Sequence, residues 1–178
     1  MLRKDFKEIL GSELISITGG LVAGLMLTYA TDKLAMLPAL FILLPGFLEM
    51  RGNISGSLSA RLSAGLHIGV FKKAYNRKKI VKGNIVASFV LVVVVSLFLG
   101  LLAYYVSMEF FGVINPKIIL VSLVAALLSN VIEIPLTALT TFWLFRHGHD
   151  PDNIMGPYVT TTGDIISIVA LLIAIAVV

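Results

Sequence analysis

The sequence predicts an all-α, polytopic membrane protein with five transmembrane helices, the second of which is long and kinked or broken. This prediction depends on composition, since 58% of the 178 residues are hydrophobic and only 13% are charged. A soluble domain carries about 25% charged residues, so a soluble enzyme and a disordered chain are both excluded. We expect residues 1–178 to form a single transmembrane domain, with no cytosolic regulatory domain and no enzymatic activity.

Five segments are long and apolar enough to cross a bilayer core about 30 Å thick, which takes roughly 20 helical residues. They cover residues 9–30, 34–70, 85–106, 118–145 and 154–178. The first segment is too long for the apolar part of a signal peptide and carries Glu13. The second would be about 55 Å long as one straight helix, and Pro45, Gly46 and Gly52 are the places where we expect it to kink or break.

The distribution of lysine and arginine predicts the orientation of the chain. Six cations and no acid lie between the second and third segments, namely Lys72, Lys73, Arg77, Lys78, Lys79 and Lys82. A basic loop of this kind is typical of the cytoplasmic side of the cell membrane. It predicts a cytoplasmic N-terminus and a C-terminus on the outside. Binding of anionic lipid or nucleic acid is the alternative. Few aromatic residues are interleaved with these cations, so no nucleic-acid partner is expected.

Ionisable residues at membrane depth are functional-site candidates, because each costs roughly 2.5–3.5 kcal/mol to insert. In the second segment, Glu49, Asn53 and Ser57 recur every four residues and form one oxygen-bearing stripe on a continuous helix. Gly52 and other small residues around the stripe allow close contact between helices. The stripe is therefore either the lining of a permeation path or a tightly packed helix contact.

The fifth segment carries Asp164 about 15 Å from its inner end, near the middle of the bilayer. Thr160 and Ser167 share a helix face with this carboxylate. No lysine or arginine occurs in the first, third, fourth or fifth segment. Asp164 therefore needs a bound cation, a proton, or a partner such as Arg51 or Arg61 in the second segment.

Two further groups are candidate metal ligands. Glu133 lies near the middle of the fourth segment beside Pro135, where it either lines the path or bonds the backbone region that the proline frees. Asp150 and Asp152 precede the fifth segment, where carboxylates ordinarily cap a helix. A site for access or sensing of a divalent cation is the alternative for this pair.

Two stretches of the sequence resemble the MgtE magnesium transporters, and most closely their solute carrier family 41 branch. The first stretch is Pro45, then Gly52-Asn53, then Ser59-Ala-Arg-Leu-Ser63, which is similar to a P…GN…ASRLS signature. The second is Asp150-Pro-Asp-Asn153, then Pro157, then Thr160-Thr-Thr-Gly163-Asp164, which is similar to DPDN…P…T…GD. The chain holds one such repeat, whereas solute carrier family 41 proteins have two.

The resemblance implies a divalent-cation path at a two-fold axis, lined by the second and fifth spans of both partners. It implies that the carboxylate matching Asp164 binds hydrated magnesium and that Gly52 and Asn53 flank the path. We expect no counterpart of the regulatory and CBS domains of MgtE. Because a single Asp164 and a single Asn53 are a sparse lining for a doubly charged ion, we also expect a parallel homodimer in the lipid bilayer.

The predicted function is transport of Mg²⁺ or a related divalent cation. The predicted metal ligands are Asp164, Asn53, Thr160 and Gly52, with Glu49, Ser57, Glu133, Asp150 and Asp152 as further candidates. Oxygen ligands suit Mg²⁺, and the absence of cysteine argues against zinc or copper. The alternatives are a non-catalytic membrane subunit or scaffold and, more remotely, an intramembrane aspartyl protease, which would need a second carboxylate sharing a proton.

Overall fold

The computed structural model describes residues 3–35, 38–72 and 74–178, and every regular element within these ranges is helical. The α-helices are α1 (Arg3–Tyr29), α2 (Thr31–Ala35), α3 (Pro38–His67), α4 (Ala74–Phe111), α5 (Lys117–Arg146) and α6 (Pro151–Val177). A short 3₁₀ turn, Val70–Lys72, precedes α4. The prediction of an all-α protein is confirmed.

Four of the described helices are long and apolar enough to cross a membrane, namely α1, residues 78–111 of α4, α5 and α6. Helix α3 has 30 residues and a length of about 45 Å, which would also suffice. Its centre, however, carries Glu49, Arg51 and Asn53, which lower its hydropathy. The polar residues that make α3 a candidate site thus also keep it out of this group, and its crossing of the membrane stays a prediction.

Two features of the described helices bear on the predicted segments. Helix α3 runs unbroken through Pro45 and Gly52, so the chain is not broken there, and the kink stays a prediction. The basic stretch was predicted to be a loop, but α4 begins at Ala74 and its first turns include Arg77, Lys78, Lys79 and Lys82. The predicted third span is therefore the later part of a 38-residue helix, which begins in the basic stretch because lysine and arginine have high helix propensity. Lys73 lies outside the described residues.

Helix α3 lies at the centre of the fold and contacts α4, α5 and α6, while α1 packs along α6. The buried face of α3 carries large apolar side chains at helical spacing, namely Leu40, Leu43, Phe47, Leu58 and Leu62. Helices α4 and α5 approach closely at Gly100, where an added Cβ would lie 2.8 Å from the Cα atom of Ile119. These contacts bring the midpoints of α3, α5 and α6 together.

Helix α1 fixes the position of α6 through polar contacts along its length. The Thr161 hydroxyl donates to Ser16 Oγ at 2.8 Å, and Ser12 Oγ donates to the Asn153 carbonyl at 3.2 Å. Near the start of α6, Glu8 accepts hydrogen bonds from the Asn153 side chain at 3.1 Å and the Asp150 amide at 3.4 Å. The α6 helix therefore has neighbours on two sides, α1 and the α3–α5 pair.

Candidate functional site

Three charged side chains meet where the middles of α3, α5 and α6 come together. Arg51 Nη1 donates to Glu133 Oε1 at 2.6 Å, and Arg51 Nη2 donates to Asp164 Oδ1 at 2.7 Å. The side chains of Arg51 and Glu133 are each 1% exposed, whereas that of Asp164 is 24% exposed. We call these three residues the Arg51 clamp.

Arg51 is held by the backbone of α6 as well as by the carboxylates. Its Nη1 donates to the Val159 carbonyl at 3.0 Å, and its Nη2 lies 3.5 Å from the Thr160 carbonyl. Gly163 makes room for the guanidinium, because a Cβ at that position would overlap Arg51 and lie 2.7 Å from Glu133 Oε1. The glycine of the Gly163-Asp164 pair is therefore required by the clamp.

The clamp carries more negative than positive formal charge, since one guanidinium faces two carboxylates. Glu133 Oε2 is buried without a hydrogen-bond partner among the described residues, as is Arg51 Nε. A buried ion pair is costly when its polar atoms are incompletely satisfied. The excess of carboxylates over cations is the feature of this cluster that would favour an additional cation, whereas the Arg51 Nε–H needs a hydrogen-bond acceptor.

An open cavity of about 450 Å³ lies between α3 and α6 and reaches the clamp. The clamp residues that line it are Asp164 and Arg51, while Glu133 lies behind the guanidinium. Asp164 Oδ1 is bonded to Arg51, and its other oxygen has no hydrogen bond among the described residues. The partly exposed carboxylate of Asp164 is thus accessible from the cavity.

The cavity brings together the four residues that the sequence predicted as main metal ligands, Asp164, Asn53, Thr160 and Gly52, and with them Glu49. Asn53 Nδ2 donates to Glu49 Oε1 at 3.1 Å, one turn away on α3. The Thr160 hydroxyl donates to the Gly156 carbonyl at 3.1 Å, so its oxygen lone pairs stay available. Carboxylate, amide and hydroxyl oxygens from two helices therefore converge on one space.

Two further predicted residues lie outside this lining. Ser57 is exposed on α3, one turn beyond Asn53, and continues the polar stripe along the helix surface. Glu133 is buried, and its carboxylate accepts a hydrogen bond from Arg51, which separates it from the cavity. The structure shows neither of the two arrangements left open for Glu133: its carboxylate does not line the cavity, and among the described residues it bonds Arg51 at 2.6 Å and has no bond to the backbone near Pro135.

The predicted pair Asp150 and Asp152 lies at the start of α6, away from the cavity. Asp150 is the N-cap, and its side chain accepts from the Asp152 amide at 3.0 Å, so the capping interpretation is confirmed. His67, at the end of α3, has Nε2 3.3 Å from Asp150 Oδ1 and 4.0 Å from Asp152 Oδ2. Ligand atoms of these three residues lie within 4.8 Å of one another. The structure therefore keeps the divalent-cation alternative geometrically open and adds His67 to it.

Residues that sequence reasoning did not select include Glu8 and His67, and it named Arg51 only as one of two possible partners. Arg51 could have been found from its place between Phe47 and Leu58 on the apolar stripe of α3, which predicts burial. A buried arginine in a membrane segment requires acidic partners. Glu8 and His67 give no comparable signal, because their partners are distant in sequence.

The arrangement agrees with a comparison against known families. The MgtE family, described as a divalent cation transporter, matches residues 44–174, which is nearly three quarters of the 178-residue chain. The chain belongs to the MgtE family. No curated protein matches the chain, and no solved structure matches it.

The chain has four apolar helices of spanning length and belongs to a family of divalent-cation transporters. It is therefore a multi-pass membrane protein. The matched residues run from α3 to α6 and include the Arg51 clamp and the whole cavity lining. Helix α1 precedes the matched region. The resemblance found in the two sequence stretches is thereby confirmed at the level of the family.

Proposed function

We propose that this protein transports Mg²⁺ or a related divalent cation along the cavity between α3 and α6, with Asp164 as its principal ion-contacting carboxylate. The observation that carries the proposal is the convergence of Asp164, Asn53, Thr160 and Glu49 on one open space at mid-helix depth. Asp164 is the middle residue of the 27-residue α6, so the site lies far from either membrane surface. An anionic cavity at that depth lowers the cost of bringing a cation into the membrane.

The cavity suits an ion that keeps part of its water shell. Mg²⁺ prefers octahedral oxygen coordination and loses water reluctantly, so it is usually held by one or two carboxylates and several waters. Six waters occupy about 180 Å³ at roughly 30 Å³ each. The cavity volume of about 450 Å³ exceeds this, so a hydrated ion fits beside Asp164. Gly52 and Gly156 leave the space open because they add no side chains to its wall.

Arg51 competes with the transported ion for Asp164. The guanidinium already occupies Asp164 Oδ1, so an arriving cation has to share the carboxylate or displace Arg51 towards Glu133. A divalent cation attracts the carboxylate with twice the charge of the guanidinium, whereas a monovalent ion has no such advantage. Glu133 keeps the displaced guanidinium paired, which lowers the cost of ion binding, and the return of Arg51 to Asp164 favours release of the ion afterwards. This competition provides weak, reversible binding and a preference for divalent ions.

The clamp also favours transport over an aspartyl protease. Glu133 and Asp164 bond to different nitrogens of Arg51, with the guanidinium between them. A protease dyad needs two carboxylates in direct contact that share one proton. The intervening cation removes the reason for sharing a proton, so this geometry does not support peptide hydrolysis.

We propose α3 as a fifth crossing, which places the basic start of α4 on the cytoplasmic side. With five crossings, the N-terminus lies in the cytoplasm and the C-terminus outside. Most lysine and arginine residues then lie on the cytoplasmic side. Reporters fused after Lys79 and after Val178 test this orientation. They should lie on opposite sides of the membrane, and finding them on the same side would contradict the proposed number of crossings.

We propose further that two protomers assemble in parallel around the polar face of α3. Glu49, Asn53 and Ser57 are exposed on this helix, and Thr160 is exposed beside them on α6. Polar side chains in a membrane segment face a partner or water and not lipid. A second copy related by a two-fold axis would cover this face and double the oxygen ligands around the path.

Ion flux into proteoliposomes tests the proposed function directly. Vesicles containing the purified protein and an internal Mg²⁺ indicator should take up Mg²⁺ faster than protein-free vesicles, and Na⁺ or K⁺ at the same concentration should not abolish uptake. Repeating the assay with and without a sodium or proton gradient separates a channel from an exchanger. Absence of flux with every gradient and each divalent cation tried would favour the non-catalytic subunit or scaffold.

A further inference from the structure

A large cavity of about 880 Å³ lies between the first turns of α4 and the last turns of α5, remote from the Arg51 clamp. Its position relative to the membrane follows from the ends of two spans. Lys78 and Lys82 lie in the basic turns of α4 just before its apolar stretch, which begins near Ile85, and Arg146 is the last residue of α5. The cavity therefore lies at the level of the membrane interface, on the side where α4 begins and α5 ends.

The rim of this cavity is strongly basic. Lys78 and Lys82 on α4 face it together with Arg146 and His147 at the end of α5, and none of the described residues that line it is acidic. Among the described residues, Lys78, Lys82 and Arg146 have no hydrogen bond or ion pair. Three cations without a partner among the described residues, beside one space, form a binding surface for an anion that this part of the chain does not supply.

The wall below the rim is apolar. Ile85 on α4 faces Leu139 and Phe142 on α5, and Trp143 lies between this wall and the basic rim with 54% of its surface exposed. A small hydrophilic anion gains nothing from contact with this apolar wall. An amphipathic ligand, in contrast, contacts both the basic rim and the apolar wall. Tryptophan at the boundary is typical of the headgroup level of a membrane.

We propose that this cavity binds an anionic phospholipid, with the phosphate of its headgroup at Lys78, Lys82 and Arg146 and an acyl chain along Ile85 and Leu139. Basic pockets between membrane helices at the cytoplasmic side are suited to anionic headgroups. The charge complementarity and the apolar wall together select a lipid over free phosphate. The site is separate from the cavity between α3 and α6, so the lipid proposal does not depend on the proposed transport function.

Trp143 provides a direct measurement, because it is the single tryptophan of the chain and lines the cavity. The full-length protein is placed in phosphatidylcholine vesicles that contain either dibrominated phosphatidylglycerol or dibrominated phosphatidylcholine at the same mole fraction. Bromine quenches nearby tryptophan fluorescence. We expect at least about tenfold stronger apparent binding of the anionic lipid, since each basic residue near the surface contributes about fivefold. Equal quenching by both lipids would overturn the proposal.

A matched pair of variants separates the cavity from general attraction to a basic segment. Lys78→Gln removes a cation that lines the cavity, and Lys79→Gln removes its neighbour, which does not line it. Lys78→Gln should lower the preference for anionic lipid about fivefold, and Lys79→Gln should leave it unchanged. Equal effects of the two variants would overturn the site. Reversal of quenching by free glycerol phosphate, which has the headgroup chemistry without acyl chains, would also overturn it.

Discussion

Arg51 Nη2 lies 2.7 Å from Asp164 Oδ1, which makes the buried arginine of α3 the partner of the carboxylate at the middle of α6. The same guanidinium lies 2.6 Å from Glu133 on α5. One side chain therefore joins three helices and also occupies an oxygen of the proposed ion ligand. We therefore expect stability and transport to be coupled at this point, because a change in the clamp would affect both the packing of the three helices and the proposed binding of the ion.

Removing the positive charge of the clamp should destabilise the protein. Arg51→Gln leaves Glu133 and Asp164 near each other without a cation, and an uncompensated buried charge costs about 3–5 kcal/mol. Thermal unfolding in detergent should show a large loss, and added Mg²⁺ should restore more stability to this variant than to the native protein. Arg61→Gln is the matched control, because Arg61 is exposed on the same helix. Equal unfolding temperatures for the two variants would contradict the structural role of the clamp.

A methyl group at Gly163 should disrupt the clamp through volume alone. An alanine Cβ there would overlap Arg51 and approach Glu133 Oε1 to 2.7 Å. Overpacking of this kind costs about 1–3 kcal/mol, and loss of the ion pair adds to it. In Gly156→Ala, on the same helix, the added Cβ has no atom within 4 Å, so its stability should not fall. Comparing the unfolding midpoints of the two variants in detergent measures this difference, and a Gly163→Ala variant as stable as Gly156→Ala would be the contrary result.

Glu133→Gln should weaken transport through Arg51 without removing an ion ligand. With Glu133 neutral, the guanidinium depends on Asp164 for its pairing, so Mg²⁺ competes against a more firmly held cation. We expect the Mg²⁺ concentration for half-maximal flux to rise about tenfold, which corresponds to about 1.4 kcal/mol, while the maximal rate is largely kept. A flux curve identical to that of the native protein would show that Glu133 does not hold Arg51 during transport.

Much of the lining of the cavity between α3 and α6 could be predicted from the sequence because its residues share helix faces. Asn53 follows Glu49 by one turn, and Asp164 follows Thr160 by one turn, so each pair is aligned by helical geometry alone. The signature-like stretches then linked α3 to α6. The structure places all four residues around one space, as the resemblance implied for the two helices.

The pairing of Asp164 could not be decided from the sequence, which left Arg51 and Arg61 as alternatives. They lie ten residues apart on α3, so the choice depends on how α3 and α6 are shifted along their axes. That shift is set by side-chain packing between residues more than 100 positions apart. Arg61 is exposed, and Arg51 lies among the buried leucines and Phe47. Contacts of Glu8 with the start of α6 depend on the same kind of distant packing.

The polar face of α3 should cross-link two protomers. The chain has no cysteine, so Asn53→Cys and Ser57→Cys introduce single thiols without background. Oxidation in the membrane should give a dimer band at one or both positions if the stripes of two copies face each other. Val94→Cys on α4, which is 59% exposed, is the control and should give little dimer. Cross-linking at Val94 without any at Asn53 or Ser57 would place the protomer contact elsewhere.

The most direct measurement is Mg²⁺ flux into proteoliposomes with Asp164→Asn compared with Asp32→Asn. Both changes remove one carboxylate charge and keep the side-chain shape, but Asp32 is exposed on α2 and does not line the cation cavity. We expect Asp164→Asn to fold, to keep the pair of Arg51 with Glu133, and to lose at least about tenfold in Mg²⁺ flux and in stabilisation by Mg²⁺. Asp32→Asn should transport like the native protein. Native Mg²⁺ flux in a folded Asp164→Asn variant would contradict the assignment of Asp164 as the ion-contacting carboxylate.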